Sequence, residues 1–164
     1  MTGLHIALIA ATFLVAIVAG SVFAFAVVAM PGIRGLEDRD FIRAFQVMDG
    51  VIQRNQPIFM LVWVGSVVAL GAAMGIGVPR LEGADQLLLL IAGGAYLGGV
   101  QLPTAAINVP LNNTLQKVDV DVMDHAGLRG ARLAFEARWN RWNSIRTGFA
   151  CVAAALLMVL LARV

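Results

Sequence analysis

The sequence predicts an all-α integral membrane protein: a four-helix transmembrane bundle with two short amphipathic loop helices on one side. Three observations carry this. The chain is 60% hydrophobic and only 13% charged, with a mean hydropathy of +0.83, whereas soluble domains are about a quarter charged. Four apolar runs, about 4–30, 57–78, 86–107 and 144–161, each approach or exceed the roughly 20 residues that cross hydrocarbon as a helix. None alternates with a period of two, which argues against a transmembrane barrel. The 164 residues suit a single transmembrane domain, without an internal repeat or low-complexity tract.

The first run has no Lys or Arg before it and is longer than the core of a signal peptide. It is therefore expected to be retained, although Ala24-Phe25-Ala26 has the form of a cleavage site. Pro31-Gly32 is expected to stop it. Phe41, Phe45, Met48 and Ile52 then recur at steps of four, three and four, one face of an interfacial helix over about 38–54. Asp38 or Asp40 is its candidate cap. Pro57 can open the second span, where its missing N–H costs nothing. The short link Gly77–Asp85 makes spans two and three antiparallel neighbours.

Gly71 and Gly75 in span two, and Gly94 and Gly98 in span three, are four apart. Small residues at that spacing let helix backbones approach closely; a flat ligand against a glycine-lined wall is the other reading. Leu128, Arg132, Phe135, Trp139 and Trp142 form a second helical stripe over about 124–143, running towards span four, with Asp121 or Asp124 as its cap. The loops 31–56 and 108–143 carry Arg34, Arg39, Arg43, Arg54, Lys117, Arg129, Arg132, Arg138 and Arg141, against Arg80, Arg163 and the amino terminus on the other side. The positive-inside rule places both loops in the cytoplasm and both termini outside, in the cell membrane.

The polar residues near the spans bear on chemistry. Asn108-Val-Pro-Leu-Asn112-Asn113 crowds three amides at the end of an apolar run, where an unpaired amide is costly. It reads either as a turn or, on a continuing helix, as converging amides able to donate to an oxygen. Trp139, Trp142, Asn143 and Arg146 lie at offsets of zero, three, four and seven, on one helical face. They form either an interfacial anchor or one wall of a site. Arg146, slightly inside span four, requires a partner: Asp49, Glu136, a carbonyl or an anionic ligand. Gln46, Asp49 and Gln53 share a face, with Asn55 close by; they are either solvated or close a pocket opposite the asparagines.

His5 and His125 fall on opposite sides of the membrane, and no HxxxH, ExxH or CxxC spacing occurs, so neither a metal site nor another cofactor is expected. Cys151, the one cysteine, reads as a packing residue. Nothing supports nucleic-acid binding. The expected partners are the lipid bilayer and a hydrophobic small molecule; oligomeric state is not encoded in any motif.

Phe25 through Met30-Pro31-Gly32, Phe41, Phe45-Gln46 and Pro57-x-Phe59, followed by Asn108-Val-Pro-Leu-Asn112 and Trp139-x-x-Trp142-Asn143-x-x-Arg146-Thr147, resemble the anthrone-oxygenase-like family of small four-helix membrane proteins. The chain departs from that family's pattern in having Asp49 where it carries asparagine, and Gln56 between Asn55 and Pro57. The resemblance implies oxidation of a hydrophobic, aromatic, polyketide-like substrate by O2 without a metal. Asp49 would be the base, and Asn108, Asn112 and Arg146 would stabilise the oxyanion. Trp139 and Trp142 would stack on the rings, with Gln46, Asn113 and Asn143 completing the substrate site. The alternative is a non-enzymatic membrane scaffold or partner subunit, in which these groups hold the loop helices to the bundle. The enzyme reading expects Asp49, Asn108, Asn112 and Arg146 around one cavity of roughly 300 Å³ or more.

Overall fold

A helix that is apolar all round must meet protein on one face and lipid on the other. The computed structural model, which describes residues 2–164, has four such helices. They are α1 (Gly3–Ile33), α3 (Pro57–Gly77), α4 (Gly83–Gln116) and α5 (His125–Arg163), each long and apolar enough to cross a membrane. The amphipathic α2 (Asp38–Gln53) is the fifth helix, and no strand occurs among the described residues. The broadest contacts join α1 to α3 and α5, and α4 to α5. On α1, Leu4, Leu8, Ala11, Val15, Val18 and Val22 turn inward, while Phe13 on α1 and Leu61 and Val68 on α3 are 63%, 70% and 65% exposed. Such large apolar groups facing outward are the surface a bilayer covers.

Two cores result. The first fills the bundle between α1, α3, α4 and α5 and includes Leu70, Leu89, Tyr96, Ala150 and Leu157. The second joins Met30, Phe41, Ile42, Phe45, Leu115, Leu128, Phe135 and Trp139, seating α2 against α4 and the first half of α5. The second amphipathic stretch, as its run towards span four suggests, is that first half of α5 and continues unbroken into the span. Asp124 caps it, its Oδ1 accepting the Gly127 N–H at 2.8 Å. Pro57 opens α3, and the Gln56 side chain caps it at Phe59 N (2.6 Å). Neither Asp38 nor Asp40 caps α2, whose N-cap is Glu37, without a side-chain bond. Asp38 instead accepts from Arg132 at 3.1 Å.

Pro31 does not stop α1, which is a correction, and of the two readings of the asparagine cluster the continuing helix is the one that forms; both outcomes have one cause. The helices pass through Pro31, Pro103 and Pro110 by way of three π turns, Phe25–Ala29, Leu97–Gln101 and Thr104–Asn108. Each π turn ends two residues before a proline. A proline ring clashes with the carbonyl four residues back and lacks the N–H that would bond it. Widening the turn by one residue moves that carbonyl aside, so the helix continues. The bonds Met30 N–H to Phe25 O, Leu102 N–H to Leu97 O and Val109 N–H to Thr104 O mark the wider turns. The α4 helix therefore runs past position 107 to Gln116, with Asn108, Asn112 and Asn113 inside it.

The glycine reading is also corrected. A Cβ added at Gly71, Gly75, Gly94 or Gly98 would meet nothing within 4 Å, because these faces point out of the bundle. The close approaches are at Gly77, Gly93 and Gly99, where a Cβ would lie 2.6 Å from Leu89, 2.5 Å from Met74 and 2.2 Å from Phe149.

Candidate functional site

The polar groups gather where the two cores meet, and α2, α4 and α5 each supply one face. On α2, Gln46, Asp49 and Gln53 turn towards the end of α4. Asp49 is buried. Its carboxylate accepts from Asn112 Nδ2 (2.7 Å), Gln53 Nε2 (2.7 Å) and Gln116 Nε2 (2.9 Å). A carboxylate has about four lone-pair sites, so three amide donors leave one free. Asn112 Oδ1 in turn accepts the Trp139 indole N–H at 2.7 Å.

On α5, Arg146 is buried without a carboxylate within ion-pair reach among the described residues. Its Nε donates to Asn143 Oδ1 (2.9 Å), its Nη1 donates to Thr104 Oγ1 (3.2 Å), and its guanidinium lies 5.4 Å from the Trp139 ring centroid. Of the partners the sequence suggests, neither Asp49 nor Glu136 is used. The Nη2 group has no bond among the described residues. Thr104 and Asn108 are the two ends of the π turn before Pro110. Asn108 is 1% exposed and its Nδ2 reaches Trp139 O only at 3.5 Å. Its Oδ1 is buried with no partner, a deficit that costs about 1–3 kcal/mol if unfilled.

Asp49, Asn108, Asn112, Trp139 and Arg146 all line one partly open cavity of about 210 Å³. The remaining wall is apolar and aromatic, from Phe25, Phe45, Phe59 and Trp63 among others. Phe59 and Trp63 stack at 5.4 Å and 18°. The volume falls short of the roughly 300 Å³ expected of a site for a drug-sized ligand, but exceeds the ~150 Å³ that encloses a benzene ring.

The other four residues singled out from the sequence stand behind this wall or away from it. Asn143 donates to Val22 O (3.2 Å) and orients Arg146. Gln46 donates to Leu115 O and Val118 O at 2.8 and 2.9 Å, tying α2 to the end of α4. Asn113 accepts from Gln53 at 3.1 Å. Trp142 is half-buried and does not line the cavity, so it is not placed to stack on a ligand there. Sequence reasoning misses Ser21, Phe59, Trp63 and Thr104 in the wall, and Gln116 beside Asp49. Phe59 and Trp63 are four apart, and Thr104 is four before Asn108 and eight before Asn112, spacings that could have found all three.

The electrostatic character is that of a mostly apolar chamber with one carboxylate, one guanidinium and an unfilled amide oxygen at its wall. Such a chamber can hold a flat ring and meet its oxygen substituents with both donors and acceptors. No curated protein and no solved structure matches the chain. A family model described as anthrone oxygenase matches residues 48–156, about two thirds of the sequence and every residue of the Asp49–Arg146 cluster. With four helices able to cross a membrane and this match, the chain is a membrane protein belonging to the anthrone oxygenase family.

Proposed function

We propose that the protein is a membrane-embedded oxygenase that oxidises an activated methylene of a hydrophobic aromatic substrate with O2, with Asp49 as base. The observation that supports this best is the convergence of Asp49, Asn112, Asn108 and Arg146 on a single aromatic-walled cavity. A methylene flanked by a ketone-bearing aromatic system is acidic. Asp49 removes one proton through its free acceptor site, and the resulting enolate oxygen is met by Arg146 Nη2. The electron-rich carbanion passes an electron to O2, and recombination forms a carbon-bound hydroperoxide. Loss of the second proton from that carbon with cleavage of the O–O bond leaves a ketone and water. One O2 is consumed per CH2 converted to C=O, and the electrons come from the substrate itself. The negative charge that starts on Asp49 ends beside Arg146, a buried cation with no counter-ion among the described residues, which favours the transfer.

The cavity volume implies that it encloses the reacting ring while the rest of a larger ligand extends through the opening. We place both long connections in the cytoplasm, on the positive-inside argument. The scaffold reading draws on the Gln46 and Gln116 bonds that hold α2 to α4, but it leaves Asn108 Oδ1 and the uncountered Arg146 without a purpose.

The test is oxygen consumption by the purified protein in lipid nanodiscs with an anthrone as substrate. We expect one O2 per quinone formed, and a fall of about 10²–10³-fold in turnover for Arg146→Met. No uptake above the spontaneous rate, or uptake indifferent to Arg146→Met and Asn108→Ala, overturns the proposal.

A further inference from the structure

One residue round α1 from Phe25, which lines the cavity, Ala26 opens onto a larger concavity of about 690 Å³ between the end of α1 and α5. The polar residues of its α5 wall are Arg132, Glu136, Asn140 and Ser144, every fourth residue, with the apolar Leu133 and Ala137 beside them, and α1 adds Arg34 to the polar set. The order has a direction. Ser144 begins the apolar run of α5, and Arg132 lies three turns before it on the loop side; Arg34 follows the apolar run of α1. From the water side inward, the polar groups pass from guanidinium and carboxylate, to amide, to hydroxyl. A phospholipid has the same order: charged headgroup, ester carbonyls, acyl chain.

The charged end is also specific. Arg132 is committed within the protein: its Nε donates to Glu136 (2.8 Å), and its Nη atoms to Asp38, Leu36 O and Arg34 O (3.1, 2.8 and 2.7 Å). The side chains of Arg34, Asn140 and Ser144 have no hydrogen bond among the described residues, and Glu136 uses only one oxygen. One guanidinium thus holds the Arg34 backbone and the Glu136 carboxylate on either side of it, and leaves an unpaired cation and a free carboxylate oxygen facing the groove.

We infer that this groove is a binding site for a phospholipid with a primary-amine headgroup, its phosphate on Arg34 and its ammonium on Glu136. A choline headgroup has no N–H to donate to Glu136, and an anionic glycerol headgroup would face that carboxylate with no cation of its own. Asn140 and Ser144 meet the ester region, and one acyl chain follows Ala26 into the bilayer. The site stands independently of the oxygenase reading, since its occupant is recognised without turnover.

Native mass spectrometry of the protein released from nanodiscs of equal phosphatidylethanolamine, phosphatidylcholine and phosphatidylglycerol reads it directly. We expect one phosphatidylethanolamine retained per chain in preference to the other two. Glu136→Gln lowers that preference about tenfold, as for loss of one charge-assisted hydrogen bond. Ser144→Phe, which fills the groove far from the Arg132 ion pairs, abolishes retention and serves if Glu136→Gln fails to fold. Equal retention of the three lipids, preference for phosphatidylglycerol, or retention unchanged in Ser144→Phe overturns the inference.

Discussion

Asn112 connects Trp139 to Asp49: its Oδ1 accepts the indole N–H and its Nδ2 donates to the carboxylate, both at 2.7 Å. The indole can only donate and an ionised carboxylate can only accept, so the amide has a single workable orientation. Asn112→Asp would set two carboxylates against each other. We expect it to lower thermal stability in detergent more than Asn112→Ala, by about 1–3 kcal/mol for the lost donor alone. The exchanged pair Asp49→Asn/Asn112→Asp restores an amide-to-carboxylate bond, and the carboxylate moved to position 112 can still accept from Trp139. The double variant should recover stability while remaining inactive, because the base has moved. Recovery of turnover in the double variant would place the base elsewhere.

Arg146 is buried with amide and hydroxyl partners only. A desolvated charge without a counter-ion is costly to hold, while its removal leaves the buried Asn143 Oδ1 without its donor, at about 1–3 kcal/mol. The two effects oppose each other, so Arg146→Met should leave the melting temperature little changed while the reaction rate falls. A large drop in both would make Arg146 a structural residue first.

Gly99 and Gly94 separate helix packing from lipid exposure. Gly99→Ala drives a methyl into Phe149, whose nearest atoms include its Cβ at 2.6 Å and cannot swing away. A cost of about 1–3 kcal/mol is expected. Gly94→Ala meets open space and should gain a few tenths of a kcal/mol up to about 1 from helix propensity. Thermal denaturation of the two variants in the same detergent checks the sign of each.

The proposed orientation is read by single cysteines in a Cys151→Ser background, since the native thiol is free and exposed. Lys117→Cys, after the end of α4, should react with a membrane-impermeant maleimide only after cell lysis. Glu82→Cys, in the α3–α4 link, should react in intact cells. The reverse pattern inverts the topology.

Much of the fold is legible because hydrocarbon imposes length and apolarity on every span, and the stripes Phe41–Ile52 and Leu128–Trp139 announce the second core in regular steps. Asn108, Asn112 and Arg146 are legible as groups that hydrocarbon penalises, and Asp49 and Trp139 as members of the helical faces beside them; each lines the cavity. The failures have two physical sources. A proline reads as a helix end at Pro31, and as one sign of a turn at Pro110, but a π turn lets the helix through both. A pair spaced by four, as at Gly94 and Gly98, says that two residues share a face but not which way the face looks. Trp142 illustrates the same point: it lies three residues from Trp139, yet only Trp139 reaches the wall.

The π turn at Thr104–Asn108 also sets a phase. On α4 the buried Pro103 and the buried Asn108 are five apart, not three or four. Every residue beyond the turn, to Gln116, is thereby carried about 100° less far round the axis than an unbroken α-helix would bring it. The turn acts as a one-residue insertion written into the helix, and its effect is confined to what lies beyond it. Pro110→Ala, which removes the ring that holds the turn wide, lets α4 close to a regular helix with every residue kept. That would rotate Asn112 and Gln116 away from Asp49 together, dismantling the site without altering any residue that lines it.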